Sequence, residues 1–411
     1  MKQFIRSGLK SLALLCMISS LSFAYTTVPE SSVSGTWSAG TYYVEGSIYV
    51  GSGSTLTLEA GAVLKFAAGK QLNVQGTLDV NGSSESKVYF TSMNDNSIGE
   101  TISGSTGDPQ PGDWIGAYVW PGPATFDHCV FRYGGSSTYD TNLKFHSGSS
   151  GHFINSVSEY ALVHGLYADG AADLEISGST FSHNGGSTYD GVYIINSAAD
   201  MANNTLNNNG RFGAYIRNGA AGTYTGNTGS DNGSDALALA ALQVSSDLSW
   251  SASDAFPIRL YKPETGWGVS VAEGSTLTFA AGTFQIDNAV TVNGAGNFAL
   301  SAGATLELKG GYDFGINDHL TVSGTKSLNA GANYTFSGAG AQVSGSEFPA
   351  AVNNLTLNNS AGLTLSSGIT VGGTLNLVSG NLTTGSNTLT VGTSASSAGS
   401  VSRTAGTVIG N

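Results

Sequence analysis

Charge is scarce in this chain: 10% of its 411 residues are Asp, Glu, Lys or Arg, and only 8 are proline. Cysteine is scarcer still, with Cys16 and Cys129 alone. Cys16 falls in an apolar N-terminal run, so Cys129 has no partner for an internal disulfide, and stability must come from burial and backbone hydrogen bonds. No apolar stretch after the first 24 residues is long enough to span a bilayer. From Pro349 to Asn411 there is no His, Cys or aromatic residue, and Arg403 is the only charged side chain. Acid–base, nucleophilic and metal chemistry all need such groups, which excludes an active site built from this tail alone.

What is present begins with a targeting signature. Lys2, Arg6 and Lys10 precede SLALLCMISSLSFA, with Ser22 and Ala24 as small residues before a cut, so residues 1 to 24 read as a signal peptide. Leu15 before Cys16 is too bulky for lipoprotein processing. The expected location is extracellular or the bacterial cell surface. Removing the three basic residues of the signal from the 15 in the chain leaves 12 against 28 acidic ones, a formal net charge of −16. Nucleic acid and anionic membranes are therefore poor partners.

Glycine (58 residues), Ser, Thr, Asn and Ala are abundant, a composition for tight turns and half-buried strands. Apolar residues pair at offsets of 22 to 24: Ile48/Leu72, Val50/Val74, Leu56/Leu78, Leu58/Val80, Leu64/Val88 and Phe66/Phe90. A repeat of that length with period-2 alternation inside each unit describes short strands coiled on copies of themselves. The fold class expected is all-β, a right-handed parallel β-helix solenoid with coils of about 20–26 residues.

The columns continue. Ala117, Leu143, Leu166, Val192, Ala214 form one inward column and Val119, Phe145, Ala168, Ile194, Ile216 its companion. A second face runs Phe131, Val157, Phe181, Leu206, and two residues earlier a small polar column runs Cys129, Asn155, Ser179, Asn204, Asn227. Stacked Asn and Ser at one corner hydrogen-bond to one another and to turn backbone. Near the end the period shortens to 20, with Leu355/Leu375, Leu357/Leu377, Ile369/Leu389 and Val371/Val391. The division expected is a coil module over 25–233, an irregular junction over 234–262, and a second module over 263–411. GSTLTFAAGTF (274–284) repeats the pattern of GSTLTLEAGAV (53–63), as if a starting unit were used twice. The ending GTVIGN carries no recognisable sorting module, which reads as a chain that continues in nature.

Residues 56–92, GDWIGAYVW (112–120), FDHCVFRYGG (126–135), GVYIINS (191–197) and NNTLNNNG (203–210) resemble exported bacterial right-handed β-helix proteins of the pectate-lyase-like superfamily. The C-terminal part resembles filamentous-haemagglutinin-like surface repeats. These resemblances imply a fold; the scaffold hosts lyases, hydrolases, adhesins and passive stalks alike. The paired-Asp and Arg pattern that a pectate-lyase activity implies is not found on any coil.

Five of the six histidines lie between residues 112 and 220. Beside the apolar columns an outward column reads Tyr118, Lys144, Tyr167, Tyr193, Tyr215, and its neighbour Trp120, His146, Asp169, Ile195, Arg217. At about 4.8 Å per coil, these form a strip of rings with cationic groups interleaved, suited to the C–H faces and hydroxyls of sugars. The ligand-binding candidates are Tyr118, Trp120, Tyr167, Tyr193, Tyr215 and Arg217, the partner a polysaccharide or cell-surface glycan. GGSSTYDTN (134–142) and GGSTYDGV (185–192) place Asp140 and Asp190 two coils apart, about 10 Å, near the upper separation for an inverting glycosidase. With His146 and Lys144 they are the catalytic candidates of an alternative reading, a polysaccharide lyase or glycoside hydrolase acting on an acidic glycan. No cofactor is expected, and Ca²⁺ enters only with the lyase. SMNDNSIGE (92–100) has Ca²⁺-type oxygen ligands without EF-hand spacing, and reads as a solvated insertion. The leading expectation is a non-catalytic adhesive or structural module.

Overall fold

The computed structural model describes residues 25–136, 141–262, 268–394 and 396–410. The chain winds as a parallel β-solenoid of about 16 coils. One sheet of 16 strands runs from Ser31–Ser32 to Ser400–Arg403, taking one strand from each coil. Beside it lie a nine-stranded sheet from Thr26–Val28 to Thr228–Ser230 and an eight-stranded sheet from Gly35–Trp37 to Tyr224–Thr225. Among the described residues the single helix is Ile316–His319.

Alternation dictates the core. Ala117, Leu143, Leu166, Val192 and Ala214 are aligned as partners, as are Val119, Phe145, Ala168, Ile194 and Ile216, and all are buried. The pairs at the 20-residue period hold the expected register as well. Rings fill the wider parts of the interior: Phe66 stacks on Trp114 at 4.3 Å, and Phe90 on Phe131 at 4.2 Å.

Two registers differ from those expected. Leu64 pairs with Phe90 and Phe66 with Ser92, a shift of two residues that keeps each inward residue inward. The coil after Phe131 is one residue longer than the sequence spacing suggests. Phe131 pairs with Ser158 and Ser158 with Phe181, so Val157 leaves the inward column and Ser158 enters it, fully buried. A slip of one exchanges the faces of a strand. Ser158 is tolerated inside because its hydroxyl donates to the Gly165 carbonyl at 2.9 Å and accepts from Asn142 Nδ2 at 3.0 Å.

The same extra residue moves the polar corner column from Asn155 to Ser156. The N–H of Cys129 donates to Ser156 Oγ (3.0 Å), that of Ser156 to Ser179 Oγ (3.1 Å), that of Ser179 to Asn204 Oδ1 (3.0 Å), and that of Asn204 to Asn227 Oδ1 (3.1 Å). Asn155 instead sits one place earlier with φ of 50°, at the corner position that His128, Gly178, Asn203 and Gly226 occupy in other coils, all at positive φ. Asn and Gly are the residues that accept this left-handed conformation most readily. A second ladder, not anticipated, links Ala161, Asn184, Asn209 and Asn232 in the same way at the next corner, and the Asn232 N–H closes it locally on Asp235 Oδ1, three residues on. Its spacings of 25 and 23 between the asparagines were visible in the sequence.

Residues 234–262 carry four strands where a loose junction was expected: Ser234–Ala240, Leu242–Val244, Leu248–Ser251 and Ile258–Leu260. The long sheet passes through without a break, since Ser234–Ala240 pairs with Phe212–Arg217 on one side and Ile258–Leu260 on the other. The two flanking sheets end here and shorter ones begin. The bulky residues of the stretch explain why it stays ordered. Trp250 is buried against Tyr224 and Phe279 (5.2 and 5.9 Å), and its Nε1 donates to the Gly222 carbonyl at 2.9 Å.

Ile194 and Ile195 test the inward assignment as a pair. Ile194→Asp buries an unpaired carboxylate and should abolish cooperative melting of the surrounding coils, whereas Ile195→Asp on the outer face should stay within about 0.5 kcal/mol of the parent in a denaturant titration. Asn204 accepts from Ser179 and donates to Ile176 O and Asn227 Oδ1, so Asn204→Ala should cost on the order of 2–3 kcal/mol in the same measurement.

Candidate functional site

The outward columns form as the alternation requires. Tyr118, Lys144, Tyr167, Tyr193 and Tyr215 are consecutive partners in the long sheet, and Asp169, Ile195 and Arg217 align beside them. Lys144 Nζ lies over the rings of Tyr118 (5.7 Å) and Tyr167 (4.9 Å). Tyr167 stacks on Tyr193 at 5.4 Å, and Tyr193 on Tyr215 at 5.5 Å. The Arg217 guanidinium sits 5.9 Å from the Tyr193 ring and 6.0 Å from that of Tyr215. Asp169 accepts from the Tyr167 hydroxyl at 3.4 Å, and burial, followed by the Asp169 charge, pushes that phenol up to about 12.

The strip does not present all its members equally. Trp120 stands 60% exposed at one end. Its ring lies 5.4 Å from His146, which also faces Tyr118 at 5.7 Å. Burial, with Lys144 beside it, lowers the His146 pKa. Together with Gln71, Asn73 and Gln75 of the preceding coil, these rings line a shallow cleft of about 250 Å³. Tyr215, by contrast, is only 2% exposed, because the ring of Tyr261 from two coils on reaches across Ala238 and Ala240 and packs edge-on against it at 5.8 Å, and Phe212 covers its flank. It therefore supports Tyr193 from beneath instead of offering a surface.

Among the described residues, the catalytic candidates Asp190, Lys144 and His146 do not form one cluster. Asp140 lies outside the described residues. Asp190 is fully buried: Arg211 clamps its carboxylate through Nε (2.9 Å) and Nη2 (2.6 Å), and the Phe212 N–H adds a third bond at 3.1 Å. Burial raises its pKa, while the Arg211 fork and the Phe212 N–H pull the other way. A carboxylate held like this has no face left for a sugar, and its role is to fix the turn between Tyr189 and Phe212. His164 completes the arrangement. Its Nδ1 accepts from the Asp190 N–H at 3.1 Å, its carbonyl accepts from the Thr141 hydroxyl, and its ring packs against Tyr193 at 4.8 Å. Burial and then the Arg211 charge bring its pKa down to about 3. Lys144 and His146 lie on the open strip, away from this buried cluster.

Three other sites show what residue type alone conceals. The 92–100 segment is organised by a lysine. Lys65, fully buried, donates from Nζ to the carbonyls of Asp95 and Glu100, both at 2.7 Å, while Asp95 collects Thr91 (2.8 Å) and Ser97 (2.5 Å). An ammonium inside an otherwise apolar strand pins the insertion to the outside of the nine-stranded sheet. Cys129 is buried and its thiol is pushed up to about 12, which leaves it inert. At the corner next to the second ladder Tyr133, Tyr160 and His183 stack at 5.5 and 5.0 Å, each with positive φ. Their spacings of 27 and 23 are the signal that could have revealed them.

No family model, curated protein or solved structure matches this chain. What the fold and the site define is a class: a parallel β-helix carrying an outward strip of rings and cations on its longest sheet.

The His164 environment has a signed consequence. Its folded pKa lies below the unfolded value near 6.5, so between those values the unfolded chain binds more protons and stability falls as pH falls. The loss should be on the order of 3 kcal/mol at pH 4. Asp190, shifted upward, acts in the opposite sense. The difference between parent and His164→Gln unfolding curves across pH 7 to 4 therefore isolates the imidazole; parallel curves would contradict its burial as the neutral form.

Proposed function

We propose that this protein is an exported or cell-surface parallel β-helix that binds polysaccharide along its longest sheet without cleaving it. The single observation that carries the reading is Trp120, a large ring left 60% exposed at the mouth of a cleft lined by Gln71, Asn73, Gln75, Tyr118 and His146. Exposed indole costs solvation unless something covers it, and side-chain amides beside a ring suit a sugar's hydroxyls and C–H face. Tyr118, Tyr167 and Tyr193 continue the platform along the axis, with Lys144 and Arg217 interleaved. The burial of Asp190 under Arg211 supports binding over a lyase or hydrolase mechanism. The signal-like residues 1–24 support export, and the resemblance of residues 40–233 to exported β-helix proteins and of the C-terminal part to haemagglutinin-like repeats agrees with it.

The test is affinity electrophoresis of the mature chain through gels containing acidic or neutral polysaccharides, with product analysis of the same mixtures by chromatography. At least one polymer should retard the protein without yielding oligosaccharides. Trp120→Ala should weaken retardation by about 1–3 kcal/mol, roughly tenfold or more, with an unchanged melting curve. Release of oligosaccharides would overturn the non-catalytic reading, and absence of retardation by every polymer would overturn the binding one.

A further inference from the structure

The column that begins Trp120, His146, Asp169, Ile195, Arg217 does not stop there. The long sheet carries it on through Ala240, Tyr261, Asp287, Lys309 and Ser337. Seven coil steps beyond the strand Gly116–Val119, about 34 Å at ~4.8 Å each, a second cleft of about 360 Å³ opens on the same face. Arg259, Lys262, Asp287, Asn288, Lys309 and Ser337 line it.

Its acidic groups are already occupied. Arg259 forks onto Asp287 through Nε (2.9 Å) and Nη2 (3.0 Å) and lies 5.2 Å from the Tyr261 ring. Glu307, at the margin, accepts from Gln285 Nε2 (2.9 Å) and Ser337 Oγ (2.5 Å), while Lys309 Nζ pairs with it only at 3.8 Å and donates to Gln285 Oε1 at 3.3 Å. Lys262 makes no ion pair with any described residue. Two ammonium groups thus share one cleft in which the short carboxylate bonds go to Arg259, Gln285 and Ser337, and Lys309 keeps only the long contact to Glu307. The surrounding charge sharpens the contrast. Of the 12 Lys and Arg residues after residue 24, Lys144, Arg211, Arg217, Arg259, Lys262 and Lys309 lie on or beside this one face, against 28 acidic residues.

The geometry points to a second subsite here, an oxyanion pocket in which Lys262 and Lys309 hold a carboxylate or sulfate substituent of the same glycan chain whose ring stacks on Trp120. This rests on the polysaccharide reading above and narrows it to an acidic polymer long enough to reach both clefts. Lysine suits the task because an ammonium acts as a point charge and accepts either a planar or a tetrahedral oxyanion. The two clefts lie on one unbroken sheet, so their separation is fixed and a single polymer gains from engaging both.

The experiment compares a sulfated, a uronate-containing and a neutral polysaccharide of matched length, binding to the parent and to Lys262→Ala/Lys309→Ala. The double substitution should weaken binding of a charged polymer about tenfold and leave the neutral one unchanged, with the loss shrinking as salt rises. Whether the sulfated or the uronate polymer loses more distinguishes the two oxyanions. Lys262→Arg/Lys309→Arg should restore binding. Undiminished binding of every charged polymer by the alanine variant would overturn the inference while leaving the Trp120 site standing. Should no polymer bind at all, NMR titration of the lysine side chains with inorganic sulfate at fixed ionic strength decides the pocket separately: shifts confined to Lys262 and Lys309 support it, and uniform shifts of all lysines refute it.

Discussion

In-register parallel pairing is the constraint on which everything else depends. Each coil presents its residues to the same positions of the coils above and below, so any group placed inward is met by an inward neighbour about 4.8 Å away. Apolar columns satisfy that demand by packing. A polar column can satisfy it only if each side chain is both donor and acceptor along the axis, and asparagine's amide does this: Asn204 takes the Ser179 N–H on Oδ1 and gives its own hydrogens to Ile176 O and Asn227. The two corner ladders are therefore consequences of the same repetition that builds the core, turned toward backbone N–H groups that the corners would otherwise leave unpaired.

The repetition also decides what can be read without coordinates. The columns through Leu143 and Phe145 were legible because period-2 alternation and a regular coil length fix register together. They failed to be legible at Val157 and Asn155, where one extra residue changes the face and nothing in the local residue types announces it. Asn155 misled because asparagine suits both a ladder and a left-handed corner. At the site, the outward order of Tyr118, Lys144, Tyr167 and Tyr193 follows from alternation, but the covering of Tyr215 by Tyr261 comes from two coils on and depends on how the turn after residue 260 lies. In the sequence Asp190 stands as the counterpart of Asp140 and a catalytic candidate; its partner Arg211 is 21 residues away, and only the closed coil brings them together.

Lys65 illustrates the limit from the other direction. A lysine in AVLKF reads as an outward charge on a strand, and it does point outward, yet the insertion folds back over it and uses its ammonium as an internal tie. Arg211 and Lys65 show the same economy: in a chain with few cations, several are placed where one group can satisfy two or three acceptors at once. The basic residues that remain on the long sheet are then conspicuous against an acidic background, which steers anionic groups toward that face and away from the rest.

The way the sheets meet near residues 224 to 248 has a mechanical meaning. Three ladders run side by side through the first part of the molecule, but across this zone only the long sheet continues as a full ladder, assisted by the bridge from Ala220 to Gln243 and by Trp250 against Tyr224. A load pulling along the axis is shared among three sets of hydrogen bonds in the coils that precede this zone and falls chiefly on one set here. Under tension the rod would part at this waist before it frayed in the three-ladder coils that precede it, and a ligand spanning the two clefts would act as a splint across it.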